Sequence, residues 1–127
     1  MIVGIGCDIV KVARIQQLIE RFGSKFLHRI CTDLEIEASK KLAVEQNYYR
    51  YFAKRFAAKE ALAKALGTGI GEFVSFLDIE IQNLPNGKPV VKLNCVNSDA
   101  FKVHLSLADE DDFAIAYVMV ESANAHL

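Results

Sequence analysis

Tyr48 to Gly67, YYRYFAKRFAAKEALAKALG, is the stretch on which the fold turns. Phe52, Phe56, Glu60 and Lys64 follow one another at i, i+4 steps, and Ala53, Ala57 and Ala63 flank the same arc. That spacing predicts a helix from Tyr48 to Leu66. Gly67 stands where such a helix stops. Glu60 has two readings inside this arc. It is one half of an exposed Glu60–Lys64 pair, a common surface motif worth roughly 0.2–0.5 kcal/mol. Or it is a carboxylate set among apolar neighbours, where desolvation is costly unless a cation pairs with it.

Upstream of this helix, Ile2 to Val10 reads as a buried strand. Alternation puts Val3, Ile5, Cys7 and Ile9 on one face and Gly4, Gly6 and Asp8 on the other. Two glycines beside a carboxylate leave a slot where a ligand can approach the backbone. A helix follows from Lys11 to Phe22, with Val12, Ile15, Ile19 and Phe22 at helical spacing toward the core. Lys11, Arg14, Gln17 and Arg21 fall on its opposite side. Thr32-Asp33-Leu34-Glu35 has the form of a capping box opening another helix.

Downstream, the chain switches to strand chemistry. Phe76 to Gln82 and Val90 to Leu93 alternate, with Asn86-Gly87 between them as a hairpin turn. Val103, Leu105 and Leu107 mark a further strand. The acidic turn Asp109-Glu110-Asp111-Asp112 joins it to a last strand, Phe113 to Val120. The expected fold is α+β, one domain over residues 1–127, with helices early and antiparallel strands late.

The 127 residues are 52% apolar, slightly above the usual 45–50% or so, an excess compatible with a buried subunit interface. No apolar run is long enough to suggest a transmembrane helix. The net charge of −1 hides an asymmetry. Residues 1–64 hold 12 of the 15 Lys and Arg against 7 of the 16 Asp and Glu; the remainder hold 3 against 9. The surplus is too small for a general nucleic-acid binder, but it suits a first half that meets something anionic. Three cysteines, Cys7, Cys31 and Cys95, have no metal or redox spacing and fit a reducing cytosol. MIVGIGCDIV lacks a basic start and is broken by Asp8, so it reads as a strand of a cytoplasmic protein rather than an export signal.

Asp8 is either a strand-end residue in solvent or a ligand. Two carboxylates, Asp8 on a strand and Glu60 on a helix, suit magnesium, which typically takes one or two carboxylates, several waters and substrate phosphates. Arg50, Lys54, Arg55, Lys59 and Lys64 surround Glu60 in sequence. They are either a solvated basic face or a phosphate-binding one. Gly67-Thr68-Gly69-Ile70-Gly71 can lay backbone N–H groups against phosphate, although Gly67 also serves as a plain helix stop. No Gly-Lys-Ser/Thr closes it, so it is not a P-loop. Glu35 is assigned to capping. His104 and Ser106 point off the core face, and Ser106 has no visible activating base. His28 and His126 have no identifiable partners.

GIGCDIV (Gly4 to Val10), with Arg14-Ile15 after it, and RFAAKEALAKALGTGI (Arg55 to Ile70) resemble the bacterial holo-[acyl-carrier-protein] synthase family, the short-chain 4′-phosphopantetheinyl transferases. The similarity continues through SFLDIEI (Ser75 to Ile81), NGKP (Asn86 to Pro89) and the His104/Ser106 strand. The family signature is present as Asp8 and Lys59-Glu60-Ala61-Leu62-Ala63-Lys64.

The resemblance implies a homotrimer with active sites at subunit boundaries. It implies transfer of 4′-phosphopantetheine from coenzyme A to a serine of apo acyl carrier protein, with release of 3′,5′-ADP, for fatty acid biosynthesis. Asp8 and Glu60 match magnesium ligands. Glu60 and Lys64 become the candidates for proton transfer and charge compensation. Arg55, Lys59 and Lys64 match cationic positions around the coenzyme A phosphates. Gly67, Thr68 and Gly69, together with Asn86, Gly87, Lys88 and Pro89, resemble turns lining the nucleotide site, and His104 matches a residue near it. Arg14 matches a position that docks the acidic helix of the carrier, and Gln17 and Arg21 share its face. Family members often carry Ser or Thr followed by His where this chain has Ala108-Asp109. The rival readings are another magnesium-dependent enzyme of nucleotide or pyrophosphate substrates, and a non-catalytic adaptor gripping an acidic helix.

Overall fold

A computed structural model describes residues 1–95 and 97–123; His126 lies outside them. The elements run β1 (Ile2–Lys11), α1 (Val12–Phe22), α2 (Ser24–Ile30), α3 (Asp33–Ser39), α4 (Glu45–Ala65), β2 (Ile79–Asn83), β3 (Pro89–Leu93), β4 (Phe101–Glu110) and β5 (Phe113–Ser122). β5 lies between β1 and β4 in a three-stranded antiparallel sheet, and β2 and β3 form a separate hairpin. The arrangement is the expected α+β one. No helix of the described residues is long and apolar enough to cross a membrane.

α4 lies across one face of the sheet, against β1 and β5. Phe52, Ala57, Ala61 and Leu62 of the helix meet Ala114, Ala116, Val118 and Val120 of β5, all buried. Small residues on both sides bring the helix close to the strands. The approach is closest at β1. A Cβ built on Gly4 would stand 2.0 Å from the carbonyl oxygen of Ala65, and one on Gly6 would stand 2.0 Å from that of Ala61. Only glycine fits there.

This contact overturns the sequence reading of β1. The glycine face is not a slot for a ligand, because the backbone of α4 fills it. The apolar face is the one left outside, with Ile5 and Ile9 each 60% exposed and Val3 and Cys7 exposed beside them. Phe113, Ile115 and Tyr117 of β5 extend the same outer surface.

Elsewhere the expected elements form. Val12, Ile15 and Ile19 of α1 are buried, but Phe22 is 47% exposed. α1 breaks at Gly23, whose φ is 58°, and Phe22 turns outward under the Arg21 guanidinium. α2, which the sequence did not announce, follows directly. The Thr32 capping box opens α3: the Thr32 hydroxyl accepts from Glu35 N–H, and Thr32 N–H donates to the Glu35 carboxylate. Phe76–Asp78 is a 3₁₀ turn rather than the start of a strand, closed by Ser75 N–H and hydroxyl donating to Asp78.

Candidate active site

The glycine contact places the candidate metal-ligand pair. Asp8 lies two residues beyond Gly6 on the same face of β1, the face that α4 covers. Lys64 of α4 donates to Asp8 Oδ1 at 2.8 Å and to the Cys7 carbonyl at 3.2 Å. Glu60, one helical turn before Lys64, is half-buried. Burial first, and the Asp8 charge second, push the Glu60 carboxyl above its usual range, with Lys64 and Arg14 acting the other way. The Lys64 ammonium is pushed up, chiefly by its hydrogen bond to Asp8.

Two like charges share this corner with one exposed ammonium, an arrangement that a dication relieves. The donors are hard carboxylate oxygens. No third His, Cys, Asp or Glu joins them among the described residues. That set fits magnesium, which keeps water and phosphate on its other positions.

Apart from Lys64, the cationic run on α4 is neither solvated nor free. Lys59 is 0% exposed. Its ammonium donates to Glu35 Oε1 at 2.6 Å, to the Ile30 carbonyl at 2.7 Å and to the Phe76 carbonyl at 3.1 Å. An ammonium has three donors, so none is left for a phosphate, and Lys59 departs from its expected place beside coenzyme A. Glu35 is correspondingly more than a cap. Its other oxygen accepts from Ile81 N–H at 2.9 Å.

Arg55 is 4% exposed. Its Nη2 donates to Asn83 Oδ1 at 2.6 Å and its guanidinium lies 3.9 Å from the Tyr51 ring centroid. Its Nε is buried without a partner. Lys54 pairs with Asp109 at 2.8 Å, and Arg50 approaches the same carboxylate at 3.9 Å. Asp109, flagged in the sequence as a departure from the family, is thus neutralised by α4.

The Gly67-Thr68-Gly69 turn closes the helix. Gly67 has φ of 79° and Gly69 of 66°. Thr68 and Gly69 N–H both donate to the Ala63 carbonyl at 3.2 Å, so these amides cap α4 rather than stand open to phosphate. The Asn86–Pro89 turn projects from the β2–β3 hairpin, exposed through Lys88. Lys88, Pro89 and His104 meet along a groove of about 530 Å³ between β3 and β4, with Phe101 and Lys102 in its wall. The His104 ring bonds Glu121 on the neighbouring strand. Asp8 and His104 therefore belong to strands at opposite edges of the sheet.

Arg14 lines a second groove, of about 350 Å³, between α1, α2 and α4. Its guanidinium lies 5.5 Å from the Phe56 ring centroid. Lys25 and Arg29 supply further cations, and Leu18, Phe22 and Phe26 an apolar floor. Gln17 and Arg21 are exposed on α1 but do not line the groove. The sequence reading missed Lys25, Arg29 and Phe26 because it missed α2. The signal available was Phe22 and Phe26, four residues apart and flanked by cations.

Comparison with known proteins identifies the family. The family model of the 4′-phosphopantetheinyl transferase superfamily matches residues 4–118. A holo-[acyl-carrier-protein] synthase of Ehrlichia chaffeensis is 49% identical over 120 residues, 94% of this chain and 97% of that one. That of Ehrlichia canis is 47% identical over 127 residues, covering 100% of both. The crystal structure of a holo-(acyl-carrier-protein) synthase from Bacillus anthracis, in complex with CoA (3′,5′-ADP), superposes with a TM-score of 0.85 at 45% identity, covering 97% of this chain and 99% of that one. The match of the family model over residues 4–118 and the near full-length relatives lead to one conclusion: the chain belongs to the holo-[acyl-carrier-protein] synthase family of the 4′-phosphopantetheinyl transferase superfamily.

Proposed function

We propose that the chain transfers the 4′-phosphopantetheine group of coenzyme A to a serine of apo acyl carrier protein and releases 3′,5′-ADP, a magnesium-dependent step that serves fatty acid biosynthesis in the cytoplasm. The observation that carries this reading is the corner of Asp8, Glu60 and Lys64, with Lys64 2.8 Å from Asp8 and the Glu60 carboxyl pushed above its usual range by burial and by Asp8.

The serine oxygen forms a bond to the phosphorus next to pantetheine. The bond from that phosphorus to the bridging pyrophosphate oxygen breaks. Glu60 takes the serine proton, a role that its raised carboxyl suits. Lys64 compensates charge on the departing phosphate of 3′,5′-ADP. Asp8 holds Lys64 in place and, with Glu60, supplies the ligands for magnesium. Magnesium, when bound, neutralises the pyrophosphate and orients it. Catalysis is then mainly positioning and charge compensation, as in phosphoryl transfer generally.

The nucleotide end of coenzyme A fits the groove that Lys88, Pro89 and His104 share. Its distance across the sheet from Asp8 is bridged when subunits meet. The outer surface of Val3, Ile5, Ile9, Phe113, Ile115 and Tyr117 is the surface a homotrimer would cover. The Arg14 groove, cationic at its rim and apolar on its floor, fits an acidic amphipathic helix of the carrier.

The experiment is mass spectrometry of apo carrier protein incubated with coenzyme A, magnesium and this protein. A gain of one phosphopantetheine mass is expected, and no gain overturns the reading.

A further inference from the structure

Asn83, the last residue of β2, uses both halves of its side-chain amide. Its Oδ1 accepts from Arg55 Nη2 at 2.6 Å, and its Nδ2 donates to the Gly87 carbonyl at 2.9 Å. Arg55 is an immobile anchor, 4% exposed and stacked on Tyr51. It stands on α4, five residues before Glu60. Gly87 is the hinge of the hairpin turn, with φ of 88°. Asn83 thus joins the helix that bears Glu60 and Lys64 to the tip of the Asn86–Pro89 turn.

The turn needs such a tie. Asn83 pairs in register with Pro89 at a position where the two backbones exchange no hydrogen bond, the neighbouring rung being Leu84 N–H to the Lys88 carbonyl. Residues 84–88 are all exposed. They are held by Leu84 N–H to the Lys88 carbonyl and Gly87 N–H to the Leu84 carbonyl, both 2.8 Å, and by Lys88 N–H to Asn86 Oδ1 at 3.0 Å. These bonds shape the turn internally. The Asn83 side chain alone, among these contacts, fixes it to α4.

We propose that Asn83 is a positioning residue for coenzyme A: through Arg55 it sets where the Asn86–Pro89 turn stands relative to Glu60 and Lys64, and so sets affinity for the nucleotide end of the substrate. This rests on the reading that the turn meets the nucleotide.

Asn83→Asp separates positioning from support. The aspartate keeps an acceptor for Arg55, now charge-assisted, but cannot donate to the Gly87 carbonyl. A residue that merely anchors Arg55 predicts an unchanged or raised Tm and an unchanged KM for coenzyme A. Positioning instead predicts a KM for coenzyme A, and a calorimetric Kd for 3′,5′-ADP, raised about three- to tenfold, the range one lost hydrogen bond supports. The KM for carrier protein should stay put, and kcat should fall far less than KM rises. Asn83→Ala, losing both bonds, should show the same split. Asn86→Ala and Lys88→Ala are measured in parallel. If they raise the KM for coenzyme A and Asn83→Asp does not, the positioning inference is overturned. If none of the variants moves it, the reading of the turn itself falls.

Discussion

Lys59 and Glu35 form an ion pair in which neither side chain is exposed, with Nζ 2.6 Å from Oε1. Twenty-four residues separate them in sequence, and between them they tie α4 to α3, to the Phe76 carbonyl and to β2. Removing one partner strands a buried charge, which costs about 3–5 kcal/mol in comparable pairs. Lys59→Met is expected to lose stability of that order in urea unfolding. A loss below about 1 kcal/mol would mean that the pair is open to water.

Glu60 weighs against stability in the metal-free protein. Its folded carboxyl titrates above the ordinary range, so the stability it contributes is present below the unfolded value and is lost as pH rises through the folded one. Metal-free protein is therefore expected to lose stability between the ordinary glutamate range and the raised value. Magnesium should raise Tm at neutral pH and fail to do so once the carboxylates are protonated. Glu60→Gln should raise the metal-free Tm at neutral pH, abolish the magnesium shift and abolish transfer. Calorimetric scans with and without magnesium across pH 4–8 check the sign (a condition drawn from ordinary carboxylate titration).

Gly6→Ala puts a Cβ 2.0 Å from a helix carbonyl that cannot step aside. β1 and α4 have to part, at a cost of at least about 1–3 kcal/mol, and Asp8 leaves Lys64 with them. Loss of thermal stability together with loss of transfer is the expected outcome. Gly23→Ala, with open space around the position but φ of 58° and ψ of −137°, should cost about 1–3 kcal/mol of backbone strain and leave transfer in place.

Ile5→Asp and Tyr117→Lys place charges on the outer sheet surface without touching the core, since both side chains are exposed. Sedimentation should show the assembly fall apart, with transfer lost in parallel. A stable monomer of full activity would remove the shared site.

Arg14→Glu reverses one charge at the rim of the α1–α2–α4 groove. The KM for carrier protein is expected to rise at least tenfold and that for coenzyme A to stay unchanged, as steady-state kinetics with each substrate varied will read.

Much of this arrangement is legible in the sequence wherever the cause is local. The i, i+4 aromatic and alanine arc gives α4, Thr32 with Glu35 gives the α3 cap, Asn86-Gly87 gives the hairpin, and the four-acid turn gives the β4–β5 junction. Lys64 bonds Asp8, with Glu60 one helical turn before it and within reach of the Asp8 charge. What fails is decided by tertiary contact. Alternation in β1 shows two faces but not which one the helix takes, and the glycine side wins because only there can two backbones touch. Lys59 looks like any helix-surface cation until Glu35 arrives from another element. α2 is 7 residues long with no side-chain cap, too short for periodicity to register.

Four cations along α4 each answer to a different neighbour: Lys54 to β4, Arg55 to β2, Lys59 to α3, Lys64 to β1. A helix held this way has a single permitted phase. Inserting one residue between Lys54 and Lys64 would rotate everything beyond it by about 100° and break these attachments together, whereas the largely exposed stretch before α4 can absorb added length. The length of α4 is thus fixed by the partners of one helix rather than by the chemistry it performs.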